Sequence, residues 1–163
     1  MKRWLACLAL ALAIAPALHA ATFRATVTYV TDGDTLWVRP DAGGRTIELR
    51  LQDVDAPESC QAFGPQAAHA LRERVLHAAV MVRTHGSDTY GRQLAQVEHR
   101  HEDVGRWLVA SGYAWAMRFH GRPGRYGVLE EQARRERKGL WAAPGALEPR
   151  AFRQRFGSCH PAR

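Results

Sequence analysis

The run Asp32-Gly33-Asp34-Thr35, followed by Arg50-Leu51-Gln52-Asp53-Val54-Asp55-Ala56-Pro57-Glu58, decides how this chain is read. An Asp-Gly pair between two alternating segments is a hairpin signal. Before it, Phe23, Ala25, Val27 and Tyr29 alternate with polar or small residues, so 23–30 reads as a strand. After it, Thr35 to Arg39 reads as a second strand, and Pro40 to Gly44 as a turn. Ile47, Leu49 and Leu51 then alternate with Thr46, Glu48 and Arg50. A period of two sends Arg50 to the polar face of this third strand. Three consecutive hairpin-linked strands form a meander, and Pro57 ends it.

Beyond Pro57 the period changes. Phe63-Gly64-Pro65 leads into a helix expected over about 66–78, with Ala67, Ala70, Leu71, Arg74 and Val75 at helical spacing. Residues 80–84 read as a fourth strand, 86–89 as a turn, and Leu94, Ala95 and Val97 as part of a fifth. Asp103 is placed to cap a short helix carrying Val104, Trp107 and Leu108, closed by Ser111-Gly112. A last helix is expected over 125–138. Glu130 and Glu131 each precede an arginine by four residues, and Gly139 stops the helix. Leu140-Trp141 is expected to fold back on the core. This order predicts an α+β chain with a mostly β core, a five-stranded barrel of the oligonucleotide-binding type with about three flanking helices.

Three segments are expected: a signal peptide over 1–20, a folded domain over 21–143, and a Pro/Arg-rich tail over 144–163. Lys2 and Arg3 precede an unbroken apolar run from Trp4 to Ile14, then Pro16 and the small-residue end Ala17-Leu18-His19-Ala20. That run is short for a membrane span and has the layout of a secretory signal cleaved near Ala20. The expected product is exported, periplasmic or secreted, with no membrane segment after cleavage. Losing Lys2 and Arg3 leaves 21 basic against 16 acidic residues, a net charge of +5. Such a basic domain suits nucleic acid, anionic lipid or cell-wall polymer, and charge does not choose among them. After cleavage Cys60 and Cys159 remain, and an even pair in an exported chain reads as a disulfide. No obligatory partner is signalled, so a monomer is expected.

The acidic residues sit where the backbone turns out of its ladder. Oxygen ligands meeting at turns suit a hard cation such as calcium, and a neighbouring arginine suits a phosphate oxygen. Together they are the apparatus of phosphodiester hydrolysis. Each motif alone has a plain alternative: an ordinary Asp-Gly turn, a solvated loop at 55–58, a surface arginine in the hairpin Asp88-Thr89-Tyr90-Gly91-Arg92. His99-Arg100-His101 is the densest histidine pair, and it reads as a solvated turn because no third ligand has suitable spacing.

Taken jointly, Asp32-Gly33-Asp34-Thr35, Arg50-Leu51-x-x-Val54-Asp55-Ala56-Pro57-Glu58, Tyr90-Gly91-Arg92-x-Leu94-Ala95 and Gly139-Leu140-Trp141 resemble the staphylococcal nuclease (thermonuclease-like) family. The resemblance runs from Phe23 to Trp141. It implies an exported, calcium-dependent nuclease that cuts DNA and RNA and leaves 3′-phosphate ends. It assigns Asp34 and Asp55 as metal carboxylates, with the Ala56 carbonyl as a further ligand. It assigns Arg50 and Arg92 to the scissile phosphate, Glu58 as general base, and Tyr90 to the nucleotide site. The chain departs from the family pattern at Met117-Arg118, where a tyrosine is usual. Thr89 replaces a frequent basic residue, and the extra charge of Asp53 is expected to face solvent.

Two other readings stay open on sequence alone. One is a non-catalytic nucleic-acid-binding module on the same fold, which would be expected to lose Glu58, an arginine or an aspartate. The other is a basic cell-envelope protein binding anionic polymers, which explains the charge but not the acidic cluster.

Overall fold

A computed structural model describes residues 21–159. Five strands carry the barrel: β1 (Thr22–Val30), β2 (Thr35–Pro40), β3 (Ile47–Leu51), β4 (Ala79–Ser87) and β5 (Gln93–His99). The meander β1-β2-β3 is antiparallel, and β4 pairs with the other edge of β1. β5 pairs antiparallel with β4 and parallel with β3, matching Arg50 to Leu94. That parallel pairing closes the sheet on itself and removes its edges. A two-residue bridge, Val54–Asp55 with Trp115–Ala116, ties the loop after β3 to the loop after the second helix.

Alternation places Ala25, Val27, Val38, Leu49, Leu51, Val82 and Val97 inside. It fails at one point. The register shifts between Val27 and Tyr29, so Val30 is buried and Tyr29 faces out. A bulge inserts one extra residue and reverses the faces beyond it, which a strict period of two does not anticipate.

Four α-helices surround the barrel, one more than expected. α1 (Gly64–Val75) lays Ala67, Leu71 and Val75 on the core. It starts two residues earlier than the spacing suggests, because Pro65 fits the first turn of a helix. α2 (Val104–Ala110) is capped by Asp103, whose side chain accepts from the Arg106 N–H at 3.1 Å. α3 (Gly127–Arg135) is shorter than the 125–138 expected and ends before Arg137, which has a φ of 51°. Gly139 follows with a φ of 52°, and a Cβ there would stand 2.3 Å from the Gly112 carbonyl oxygen. Leu140 donates to that carbonyl at 2.9 Å, so Leu140 and Trp141 turn back into a small cluster with Trp115 and Ala133.

The fourth helix, α4 (Pro149–Phe156), lies in the tail. The tail is held against the domain by the expected disulfide. Cys60 and Cys159 are bonded, with Cα atoms 5.6 Å apart. The buried Gln61 donates to the Leu147 carbonyl at 2.6 Å, and Arg118 donates to Glu148 at 2.9 Å. The signal segment expected over 1–20 lies outside the described residues. Among the described residues no helix is long and apolar enough to cross a membrane.

Candidate active site

The β1–β2 turn is the floor of the site. Thr31 donates to the Thr35 carbonyl at 2.9 Å, and the Asp32 carboxylate accepts from the Asp34 N–H at 3.0 Å. Asp32 thus shapes the turn. Its pKa is raised by burial, against the pull of Arg50 and of its bonds to Thr35. A Cβ on Gly33 would lie 2.6 Å from the Ala56 Cβ and 2.9 Å from the Ala67 Cβ. Only glycine lets this turn press against both the 54–58 loop and α1.

That contact brings the two acidic segments together. Asp34 is 2% exposed, and its Oδ2 accepts from the Ala56 N–H at 2.7 Å. Its Oδ1 meets the Thr35 hydroxyl and the Arg50 guanidinium. Arg50 also donates to Asp55 Oδ1 at 3.1 Å, so one fork bridges both aspartates. The polar face of β3 is therefore a closed pocket rather than a wet surface, with the Arg50 side chain 13% exposed. Burial lowers the Arg50 pKa from its ordinary value, opposed by Asp55 and assisted by the nearby charge of Arg92.

Arg92 arrives from the β4–β5 hairpin. Its Nη1 lies 3.3 Å from the Thr35 hydroxyl, next to Asp34. Asp88 holds it through Nε at 2.8 Å and Nη2 at 2.7 Å. The same carboxylate accepts the N–H groups of Tyr90 and Arg92 at 2.9 and 3.0 Å. The Tyr90 ring lies 5.5 Å from the Arg92 guanidinium and is 84% exposed, an open face beside the pocket.

Glu58 is held from an unexpected direction. Its Oε1 lies 2.5 Å from Nη1 of Arg153 on α4, and Nη2 of that arginine is 3.6 Å from Asp55 Oδ2. The Glu58 N–H donates to the Gln61 side chain at 3.1 Å. The structure thus gathers Asp34, Arg50, Asp55, Ala56, Glu58 and Arg92 at one place, with Tyr90 on its rim. Sequence reasoning missed Arg153. The only signal for it was Cys159, whose bond to Cys60 returns the tail to the 55–58 loop.

Arg118 is taken up elsewhere. It pairs with the buried Glu130 at 2.8 Å and with Glu148, while Glu130 also accepts from the Ala116 N–H at 2.9 Å and pairs with Arg134. Arg118 therefore braces the loop, and no ring stands at 117–118. Asp53 has a φ of 65° and is partly exposed, in keeping with a solvated charge. His99 ends β5, and His101 sits in the exposed turn after it. Among the described residues no group of three or more His, Cys, Asp or Glu forms a metal cage.

The sequence matches the family described as Staphylococcal nuclease homologue over residues 48–143. The chain belongs to the staphylococcal nuclease family. The family's chemistry is the hydrolysis of phosphodiester bonds in nucleic acid. Among similar proteins, the chain is 37% identical over 145 residues to the micrococcal nuclease of Shigella flexneri, covering 82% of each. It is 39% identical over 165 residues to the protein ParB of Escherichia coli, covering 94% of this chain and 91% of that one. An uncharacterized endonuclease of Haemophilus influenzae is 34% identical over 128 residues, covering 78% of this chain and 71% of its own length.

Asp34 and Asp55 present carboxylate oxygens that converge on one cationic group, and the Ala56 N–H donates to Asp34 beside them. Such a set fits a hard cation of flexible coordination better than zinc.

Proposed function

We propose that this member of the staphylococcal nuclease family, an endonuclease that hydrolyses phosphodiester bonds, is exported and calcium-dependent, acts on DNA or RNA, and leaves 3′-phosphate ends. The observation that carries the reading is the convergence of Asp34, Asp55, Arg50 and Arg92 on one turn, with Glu58 on the loop beside it. In this reading Asp34, Asp55 and the Ala56 carbonyl hold calcium, which supplies positive charge against the phosphoryl oxygens as negative charge grows there.

The chain's own groups do the rest. A phosphodiester is an anion and repels an attacking hydroxide. The forks of Arg50 and Arg92 hold its non-bridging oxygens through charge-assisted hydrogen bonds. These strengthen as the five-coordinate phosphorus gains charge, so they favour the transition state over the ground state. Glu58 accepts a proton from the attacking water and directs its oxygen at phosphorus. Tyr90, open beside Arg92, offers its ring to a nucleobase. Cleavage of the bond to the 5′ oxygen leaves the phosphate on the 3′ side.

The expected outcome is digestion of plasmid DNA with calcium and none after chelation, with little turnover in magnesium. End-labelled products should carry 3′-phosphate. Full activity in chelator would refute the metal assignment, and export is read by where the full-length chain accumulates in cells. The rival reading of a binding module without chemistry predicts retention of DNA and no cleavage in either buffer.

A further inference from the structure

Resting on this nuclease reading, we propose that α4 is a substrate arm whose Arg153 is a third phosphate-binding arginine of the active site, delivered there by the Cys60–Cys159 disulfide. Residues 149–159 contain Arg150, Arg153 and Arg155 and no acidic residue. The carboxylates that Arg153 meets are therefore on another element, and they are Glu58 and Asp55 of the pocket. Its side chain is 39% exposed, against 13% for Arg50. A half-exposed guanidinium can exchange a carboxylate for a phosphate without leaving water. The fork matches either anion in bidentate geometry.

The rest of the arm has the composition of a single-strand platform. Phe152 and Phe156 lie 5.0 Å apart on the same helix, Phe156 is largely exposed, and Arg155 lies 5.1 Å from its ring. Cations interleaved with aromatic faces follow a backbone while bases stack. Besides the Arg153 pairs, three ties hold the arm and the residues leading into it: the disulfide, the Gln61 bond to Leu147, and the Arg118 bond to Glu148. Only the disulfide is covalent, so reduction should loosen the arm where Arg153 operates.

The test uses the full mature chain. Binding of a short fluorescent oligothymidylate is measured in chelator at several salt concentrations, and cleavage in calcium. Arg153→Ala should weaken binding by about ten-fold, the loss of one charge-assisted fork. It should lower the steepness of the salt dependence by roughly 0.7, one phosphate contact on a single strand. KM should rise by a similar factor while kcat changes less. Arg153→Lys should recover part of the binding, having the charge without the fork. Dithiothreitol should weaken binding by the wild-type protein to the Arg153→Ala level and leave Arg153→Ala itself unchanged. A thermal melt checks that each variant folds. Unchanged binding and salt slope in a folded Arg153→Ala would overturn the proposal. Faster cleavage by that variant would overturn it too, and would make Arg153 a plug on Glu58 instead. A wild-type chain that fails to cut in calcium would sink the nuclease reading, while the binding measurements still judge the arm.

Discussion

Arg50 and Arg92 reach the same turn by different routes. Arg50 grows from a barrel strand, is almost enclosed, and is fixed by two carboxylates, Asp34 and Asp55. Arg92 follows an exposed hairpin turn and is fixed by one, Asp88, which also caps the turn through two backbone N–H groups. A charge taken out of water must be paired, and its partner becomes equally dependent on it. A charge at the surface needs only to be aimed. In the proposed reading both hold one phosphate, and the structural cost is larger at Arg50 than at Arg92.

The largest expected effect separates the two. Arg50→Ala leaves Asp34 buried without its cation, and breaking a buried pair this way costs about 3–5 kcal/mol. Turnover should fall by about 100- to 1000-fold as well, the usual loss on removing a transition-state donor. Arg92→Ala should give a comparable loss of turnover with a smaller loss of stability, about 1 kcal/mol, because its pair with Asp88 is only partly buried. Urea melts in chelator and single-turnover rates in calcium measure both. Saturating calcium should recover part of the Arg50→Ala stability, because a ligand that binds only the folded state stabilises it. Equal destabilisation by the two substitutions would break the contrast.

Glu58→Gln comes next, and asks whether the pocket's third carboxylate does chemistry or only pairs with Arg153. The amide keeps the shape and loses the basic oxygen. Turnover should fall by about 100-fold or more if Glu58 takes the proton, with oligonucleotide affinity in chelator little changed. A rate near the wild-type value, with the fold intact, would mean that another group activates the water.

The same contrast explains what could be read from sequence. The meander, the Asp-Gly turn and the polar side of Arg50 were legible because local alternation sets them. So was the Asp103 cap, since a cap is a contact between near neighbours. What escaped depends on long-range geometry. The barrel was read from the order of elements, but not that β3 and β5 close it in parallel, and the bulge at 27–29 shifts the register where a strict period of two does not. Glu130 read as one of two similar surface pairs with the arginines four residues on. In the fold both pairs form, but Glu130 is buried and also braces Arg118 and the Ala116 N–H. Pro149 to Phe156 read as tail because proline and arginine dominate it. Proline in fact suits the first turn, and the helix gains its place from tertiary ties that composition does not reveal. The pocket's acidic half lies on short-range motifs and was found. Its fourth arm, Arg153, comes from 95 residues beyond Glu58 and was not.

The smallest expected effect tests how Arg92 is aimed. Asp88 is partly buried, its side chain 16% exposed. What burial it has raises its pKa, but the bonds from the Arg92 side chain and from the Arg92 and Tyr90 N–H groups outweigh that and hold it below the ordinary carboxylate value. A lowered folded pKa means that its support for the hairpin is complete above the unfolded value and fades as pH falls through the folded one. Near neutral pH the support is fully present, so Asp88→Ala should show it. The guanidinium would remain but lose its fixed direction, and a net hydrogen-bond loss of about 1 kcal/mol corresponds to roughly a five-fold drop in turnover. Stability should fall by only about 1 kcal/mol, since the pair is partly exposed. Asp88→Asn should fall between wild type and alanine, because its carbonyl oxygen still accepts from the turn while the charge is gone. If Asp88→Ala were as slow as Arg92→Ala, position and charge could not be separated at this arginine, and Arg92 would depend on its carboxylate as heavily as Arg50 does.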